Sequence, residues 1–255
     1  MKQRYWILLG ISLIMLAACG NSQEKQTSES NSQSSQTSVS SNSSQVVASS
    51  STQAESETSS SSEASQAGQA SQDAAYNGSY YYVEGKYGPV IVVNKKHPLA
   101  SSYAPGEDPT ALASFLELLA DMQAQGFAVS NQYSGFRSYE TQASLYQNYV
   151  NQDGQANADR YSARPGYSEH QTGLAFDLID TNGNLLTEPT ACQWLAQHAH
   201  EYGFVVRYLE GKEASTGYMP ESWHIRYIGQ EATEIYQSGL TLEEYYGVEG
   251  GDYAQ

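Results

Sequence analysis

The chain of 255 residues carries 12 Lys and Arg against 28 Asp and Glu, a formal charge of −16. It therefore lacks the cationic surface that neutralises phosphates, and nucleic acid is not an expected partner. Two cysteines are too few for a disulfide framework or a Cys-rich zinc module.

From the start, Lys2 and Arg4 precede an apolar run from Trp6 to Leu16, short for a ~30 Å hydrocarbon core and typical of a signal peptide over residues 1–18. The run ends in Leu16-Ala17-Ala18-Cys19-Gly20, which resembles the lipobox of bacterial lipoproteins. The expectation is a mature chain beginning at Cys19, lipidated on its sulfur and held on the outer face of the cell membrane. Residues 21–72 contain 21 Ser and no aromatic, Leu or Ile, a composition that cannot offset the entropy of ordering. Residues 19–75 thus read as a disordered tether, with a reach of about 40 Å for a flexible coil of this length. Residues 76–255 are left as one core-forming domain.

Within that domain, Tyr80–Val83 and Val90–Val93 read as strands, and Pro98 stops the second. Asp108-Pro109 is a helix start, with Leu112, Phe115, Leu116, Leu119 and Met122 at helical spacing before Gly126. Phe127–Ser130 returns to strand. A second helix is expected over about 139–150, with Ala143, Tyr146, Tyr149 and Val150 as its buried stripe, and then a polar loop over 151–168. Leu174–Ile179 reads as a strand, and Asp180 to Asn184 as a turn. A third helix follows from about Thr187 to Gly203 with Ala191, Leu195, Ala199 and Tyr202 on one face. Phe204–Tyr208 and Trp223–Ile228 are the last strands, and short helices near 230–237 and 242–246 close the domain. Strands in hairpin-like pairs between helices, without regular βαβ repetition, predict an α+β domain with a mainly antiparallel sheet.

Two segments carry residues that do not suit their elements. Asp177 lies within Ala175-Phe176-Asp177-Leu178-Ile179, where a buried carboxylate is costly unless paired or metal-bound. His224 lies between Trp223 and Ile225, one short turn after Glu221. Singly, each has an ordinary explanation, a hydrogen-bonded core histidine or a capping aspartate. Together, His170, Asp177 and His224 form a three-ligand zinc set that leaves a fourth position for water, with Glu221 as the base acting on it.

The run Ser168-Glu169-His170-Gln171-Thr172-Gly173-Leu174-Ala175-Phe176-Asp177, followed by Glu221-Ser222-Trp223-His224-Ile225-Arg226-Tyr227, resembles the signature of VanY-type zinc carboxypeptidases of peptidoglycan. Ser134-Gly135-Phe136-Arg137-Ser138-Tyr139 and Gln142 match as well, and with its lipobox and tether the whole chain is similar to the streptococcal L,D-carboxypeptidase lipoproteins of that family. The resemblance implies that His170, Asp177 and His224 bind Zn²⁺, that Glu221 is the general base, and that Arg137, Gln142 and Ser168 hold the substrate. The substrate it implies is a peptidoglycan stem peptide that loses its terminal D-alanine.

An Arg is suited to a terminal carboxylate through its bidentate fork, and Arg137 is the better candidate for it. Arg226 ranks below it, as an ion-pairing neighbour of the site. His198 and His200 read as surface residues of the third helix, and Cys192 as a small buried hydrophobe. The motif leaves open D,D-cleavage of pentapeptides against L,D-cleavage of tetrapeptides, the latter favoured by the whole-chain resemblance. An endopeptidase, a lipoprotein that binds muropeptides without catalysis and a metal-binding wall module are further alternatives; a base beside an open zinc position speaks against the last.

Overall fold

A computed structural model describes residues Asp73 to Ala254. The expected signal peptide, Cys19 and nearly all of the tether lie outside these residues.

Among the described residues, seven strands and seven α-helices follow one another, joined in places by single 3₁₀ turns. Strands β1 (Ala75–Tyr76), β2 (Tyr81–Gly85) and β3 (Gly88–Val92) form an antiparallel meander. Helix α1 (Pro109–Ala124) begins at Asp108, whose carboxylate accepts from the Thr110 and Ala111 amides at 2.9 and 2.8 Å. Then come β4 (Val129–Ser134), α2 (Tyr139–Asp153), α3 (Gln155–Tyr161), a 3₁₀ turn at Glu169–Thr172 and β5 (Ala175–Asp180). The chain ends with α4 (Pro189–His198), β6 (Phe204–Tyr208), α5 (Glu213–Thr216), β7 (Glu221–Tyr227), α6 (Ala232–Ser238) and α7 (Leu242–Tyr246).

The second sheet has the order β4-β5-β7-β6 and is antiparallel throughout. The period-2 alternation of its strands sorts apolar from polar residues. Phe176 and Leu178 of β5, Phe204 of β6 and Ile225 of β7 face α1 and α4, where they close over Phe115, Leu119, Met122 and Leu195. Phe115 stacks on Phe176 with ring centroids 4.7 Å apart. Asp177, His224 and Arg226 alternate with these apolar residues and so project to the opposite face. A second core joins Val83 and Val92 of the meander to Val205, Ile235, Leu242 and Tyr246.

The α+β antiparallel class is as expected, with local differences. The stretch read as a polar loop contains α3, which buries only Ala158 and so offers no apolar stripe to read. Helix α2 buries Gln142, while Ala143, Tyr146, Tyr149 and Val150 are only half-buried. The strand read at Phe127–Ser130 is shifted to Val129–Ser134, and α5 adds a short helix before β7. Glu221 does not precede β7 but opens it. Cys192 is half-buried and leans on the Leu186 carbonyl at 3.4 Å.

Candidate metal centre and active-site cleft

The site is assembled by strand register. Asp177 on β5 stands directly opposite His224 on β7 and, on its other side, opposite Ser134 at the end of β4. The turn just before β5 delivers His170, and the residues just after β4 deliver Arg137. Gly173 closes that turn in the left-handed region at φ 75°, and a Cβ there would lie 1.9 Å from the Gly106 carbonyl oxygen. Its amide donates to the His170 carbonyl at 3.2 Å, so the motif glycine fixes the backbone that aims the imidazole.

One donor atom from each of His170, Asp177 and His224 falls within 4.8 Å of the others, and all three residues are buried. His170 Nε2 lies 3.1 Å from Asp177 Oδ2, and His224 Nδ1 lies 2.9 Å from Asp177 Oδ1. Tetrahedral zinc with ~2.0–2.1 Å bonds holds its ligands about 3.3 Å apart, so this spacing and the two-imidazole, one-carboxylate donor set fit the metal. The ring of His170 is oriented by its other nitrogen, 2.8 Å from the Gly135 carbonyl. A carbonyl only accepts, so Nδ1 carries the proton and Nε2 offers its lone pair.

The electrostatics favour a cation at this point. Burial pushes the His170 imidazole below its ordinary value despite the pull of Asp177, keeping the ring neutral. Burial alone would raise Asp177, but His170 and His224 together outweigh it and hold the carboxyl well below the usual range. Burial disfavours the charged form of His224 too, yet hydrogen bonds to Asp177 and Glu169 push it up to about 10. The carboxylates of Asp177 and Glu169 thus favour positive charge at this point.

Glu221 stands beside the triad, its Oε2 3.8 Å from His224 Nδ1. A regular strand would place residues three apart on opposite faces, but the register between β6 and β7 shifts between Val206 and Tyr208 and breaks the alternation. Burial pushes the Glu221 carboxyl up to about 7.

These residues line a cleft of about 460 Å³, whose walls include Tyr208, Tyr218 and Trp223. Residues 107–230, which contain every one of these groups, match the family model described as VanY, D-alanyl-D-alanine carboxypeptidase. The chain is 65% identical to the L,D-carboxypeptidase DacB of Streptococcus pneumoniae, covering 71% of this chain and 98% of that one at a TM-score of 0.70. The chain belongs to the VanY family. A vancomycin-resistance VanY solved in complex with Zn(II) is 33% identical, covering 61% of this chain and 97% of that one at a TM-score of 0.54. The D-alanyl-D-alanine carboxypeptidase of Enterococcus faecalis is 33% identical over 178 residues, 63% of this chain, and the match spans 66% of that enzyme's length.

In this VanY domain Arg137 is the only guanidinium or ammonium group lining the cleft, among the described residues. Its Nη1 donates to Gln142 Oε1 and its Nη2 to Ser134 Oγ, both at 2.8 Å. Asp177 is 3.7 Å away, close enough for attraction but not for a hydrogen bond. Gln142 is buried, and its amide nitrogen donates to the Ala163 carbonyl at 2.6 Å. The side chain is thereby a strut between Arg137 and the chain after α3. Ser168 is buried at the cleft wall.

Arg226 is 1% exposed and donates to Glu169 Oε1 at 2.9 Å and to the Ile91 carbonyl at 2.8 Å, the ion-pairing place expected for it. His198 stacks on Trp194, and His200 on Tyr236, both outside the cleft. Glu169, between Ser168 and His170, does not stand out in the sequence, because a glutamate in a polar turn looks solvated. It is in fact wholly enclosed, bound to Arg207, Arg226 and His224. The available signal was Arg207 within Phe204-Val205-Val206-Arg207-Tyr208, a charge in an apolar strand that needs a buried partner.

Proposed function

We propose that this chain is a zinc-dependent carboxypeptidase that hydrolyses the terminal D-alanine from peptidoglycan stem peptides, acting as an L,D-carboxypeptidase on tetrapeptides. The observation that carries the reading is the presence of one guanidinium, Arg137, in the same cleft as a zinc-type triad and a carboxylate raised by burial. Arg has five N–H donors, and two of Arg137's hydrogen bonds fix its plane. The remaining donors are directed at the terminal carboxylate of a peptide, while Ser134 and Gln142 prevent the fork from swinging away.

His170, Asp177 and His224 hold the metal. Bound Zn²⁺ supplies a Lewis acid that polarises the scissile carbonyl and acidifies water. Glu221 accepts the proton from the attacking water and returns it to the leaving amine, a task suited to a group whose burial has raised it to about 7. The aromatic walls, Tyr208, Tyr218 and Trp223, exclude bulk water and so strengthen each of these interactions. Ser168 is assigned to the substrate peptide, and Gln142 acts on it through Arg137.

The preference for an L,D bond rests on the 65% identity to an enzyme named as an L,D-carboxypeptidase. The D,D reading is favoured by the family description and by the E. faecalis relative at 33%. Purified protein given muropeptide tetrapeptide and pentapeptide separates them. Release of D-alanine from the tetrapeptide, leaving a tripeptide, is expected; cleavage confined to the pentapeptide contradicts the L,D assignment.

The same reading places the enzyme at the outer face of the cell membrane, with a lipid on Cys19 and residues 19–75 as its tether. Its support is the charged start, the apolar run and the Leu16-Ala17-Ala18-Cys19-Gly20 ending. Cys19→Ser is expected to move the protein from the membrane fraction to the medium. Unchanged membrane retention contradicts the anchor.

A further inference from the structure

Behind the triad lies a second array of buried charge. The carboxylate of Glu169, 1% exposed, accepts at Oε1 from Arg207 Nε at 2.8 Å and from Arg226 Nη1 at 2.9 Å. Arg207 also donates to both oxygens of Glu243 on α7, at 2.9 and 2.5 Å, and Glu243 Oε1 accepts from Asn94 at 3.1 Å. Two carboxylates and two guanidiniums balance, which is the condition for keeping such groups ionised away from water.

One oxygen of this array has a different partner. Glu169 Oε2 lies 3.3 Å from His224 Nε2, across the ring from the nitrogen that faces Asp177. From there Glu169 cannot reach the point shared by the three ligand atoms. It does meet the nitrogen whose protonation decides whether Nδ1 has a free lone pair.

We propose that Glu169 is a positioning residue for the zinc site. Its carboxylate accepts the Nε2 proton of His224, fixes the ring in the tautomer that leaves Nδ1 bare towards the metal, and holds the ring plane in line with Asp177. The inference rests on the reading of His170, Asp177 and His224 as the zinc ligands. Arg207 and Arg226 both donate to Glu169 Oε1, which fixes the carboxylate and leaves Oε2 for the ring. The two histidines are consequently unlike: His170 is oriented by a neutral carbonyl of Gly135, His224 by a carboxylate, which makes His224 the more basic ligand. The array also ties that ligand to α7 and to Asn94 after β3, segments that supply no group to the cleft.

The test has two readouts besides activity. Imidazole ¹⁵N–¹H spectra of the zinc-loaded full chain are expected to show His224 protonated at Nε2, with a proton slow to exchange. A His224 protonated at Nδ1, or an Nε2 proton open to rapid exchange, overturns the proposal without any mutation. In competition with a chelator, Glu169→Gln is expected to bind zinc about 10- to 100-fold more weakly, with Glu169→Asp in between. Leu195→Ala, in the core on the other face of the sheet, is expected to leave zinc affinity unchanged. Wild-type affinity in Glu169→Gln, or an equal loss in Leu195→Ala, overturns the role of Glu169; if Glu169→Gln does not fold, the spectra of the wild type decide. A wild-type chain that takes up no zinc overturns the triad as well, which separates the two failures.

Discussion

Arg137 and Glu221 show how much of this site depends on the surroundings of single side chains. Arg137 is an ordinary surface-type residue whose fork is fixed at the cleft because Ser134 and Gln142 each hold one of its nitrogens at 2.8 Å. Arg137→Ala is expected to raise KM on peptides with a free terminal carboxylate by about 10- to 100-fold, matching the ~1.5–3 kcal/mol of a charged hydrogen bond. A substrate amidated at its terminus should lose little further on the same change. An equal loss on both substrates contradicts the clamp. Gln142 and Arg137 are five residues apart, and the motif places them together, but only the fold shows that the amide oxygen accepts from the arginine. Glu169 was hidden for a related reason: its partners Arg207 and Arg226 lie 38 and 57 residues away in the chain, and no local pattern connects them.

At the scale of elements, the site is held by the turn between α3 and β5 and by strand pairing. Gly173 is decisive there, since its φ of 75° and the Gly106 carbonyl leave no room for a side chain. Gly173→Ala is expected to cost about 1–3 kcal/mol of stability and to weaken zinc binding, because the amide of residue 173 supports the His170 carbonyl. Thermal unfolding with and without zinc checks this; unchanged melting in both conditions contradicts it. Elements with strong caps and stripes were legible: α1 starts at Asp108 with Pro109 next, as the sequence predicts, and β6 and α7 lie where their patterns put them. Helix α3 was not legible, because a short polar helix with one buried alanine has no periodicity. The place of Glu221 was not legible either, since an irregular register is a property of two strands together.

For the whole molecule, composition separates a serine-rich first third from a domain whose sheet has one apolar and one chemical face. That division explains how a chain with only 39% hydrophobic residues still builds two cores. It also explains why the antiparallel class and the metal residues were readable: Asp177 and His224 sit between apolar neighbours on paired strands, where an acid or a histidine has to be functional or paired. Whether this face works as a zinc peptidase centre is read most directly from the metal dependence of product release. D-alanine release from a muropeptide is followed as zinc is removed with a chelator and then restored, alongside zinc-loaded Glu221→Gln. Release is expected to stop on removal, to return in proportion to zinc re-added, and to be absent from Glu221→Gln at full zinc content. Release that persists in metal-free protein, or wild-type release by zinc-loaded Glu221→Gln, would contradict a zinc peptidase centre.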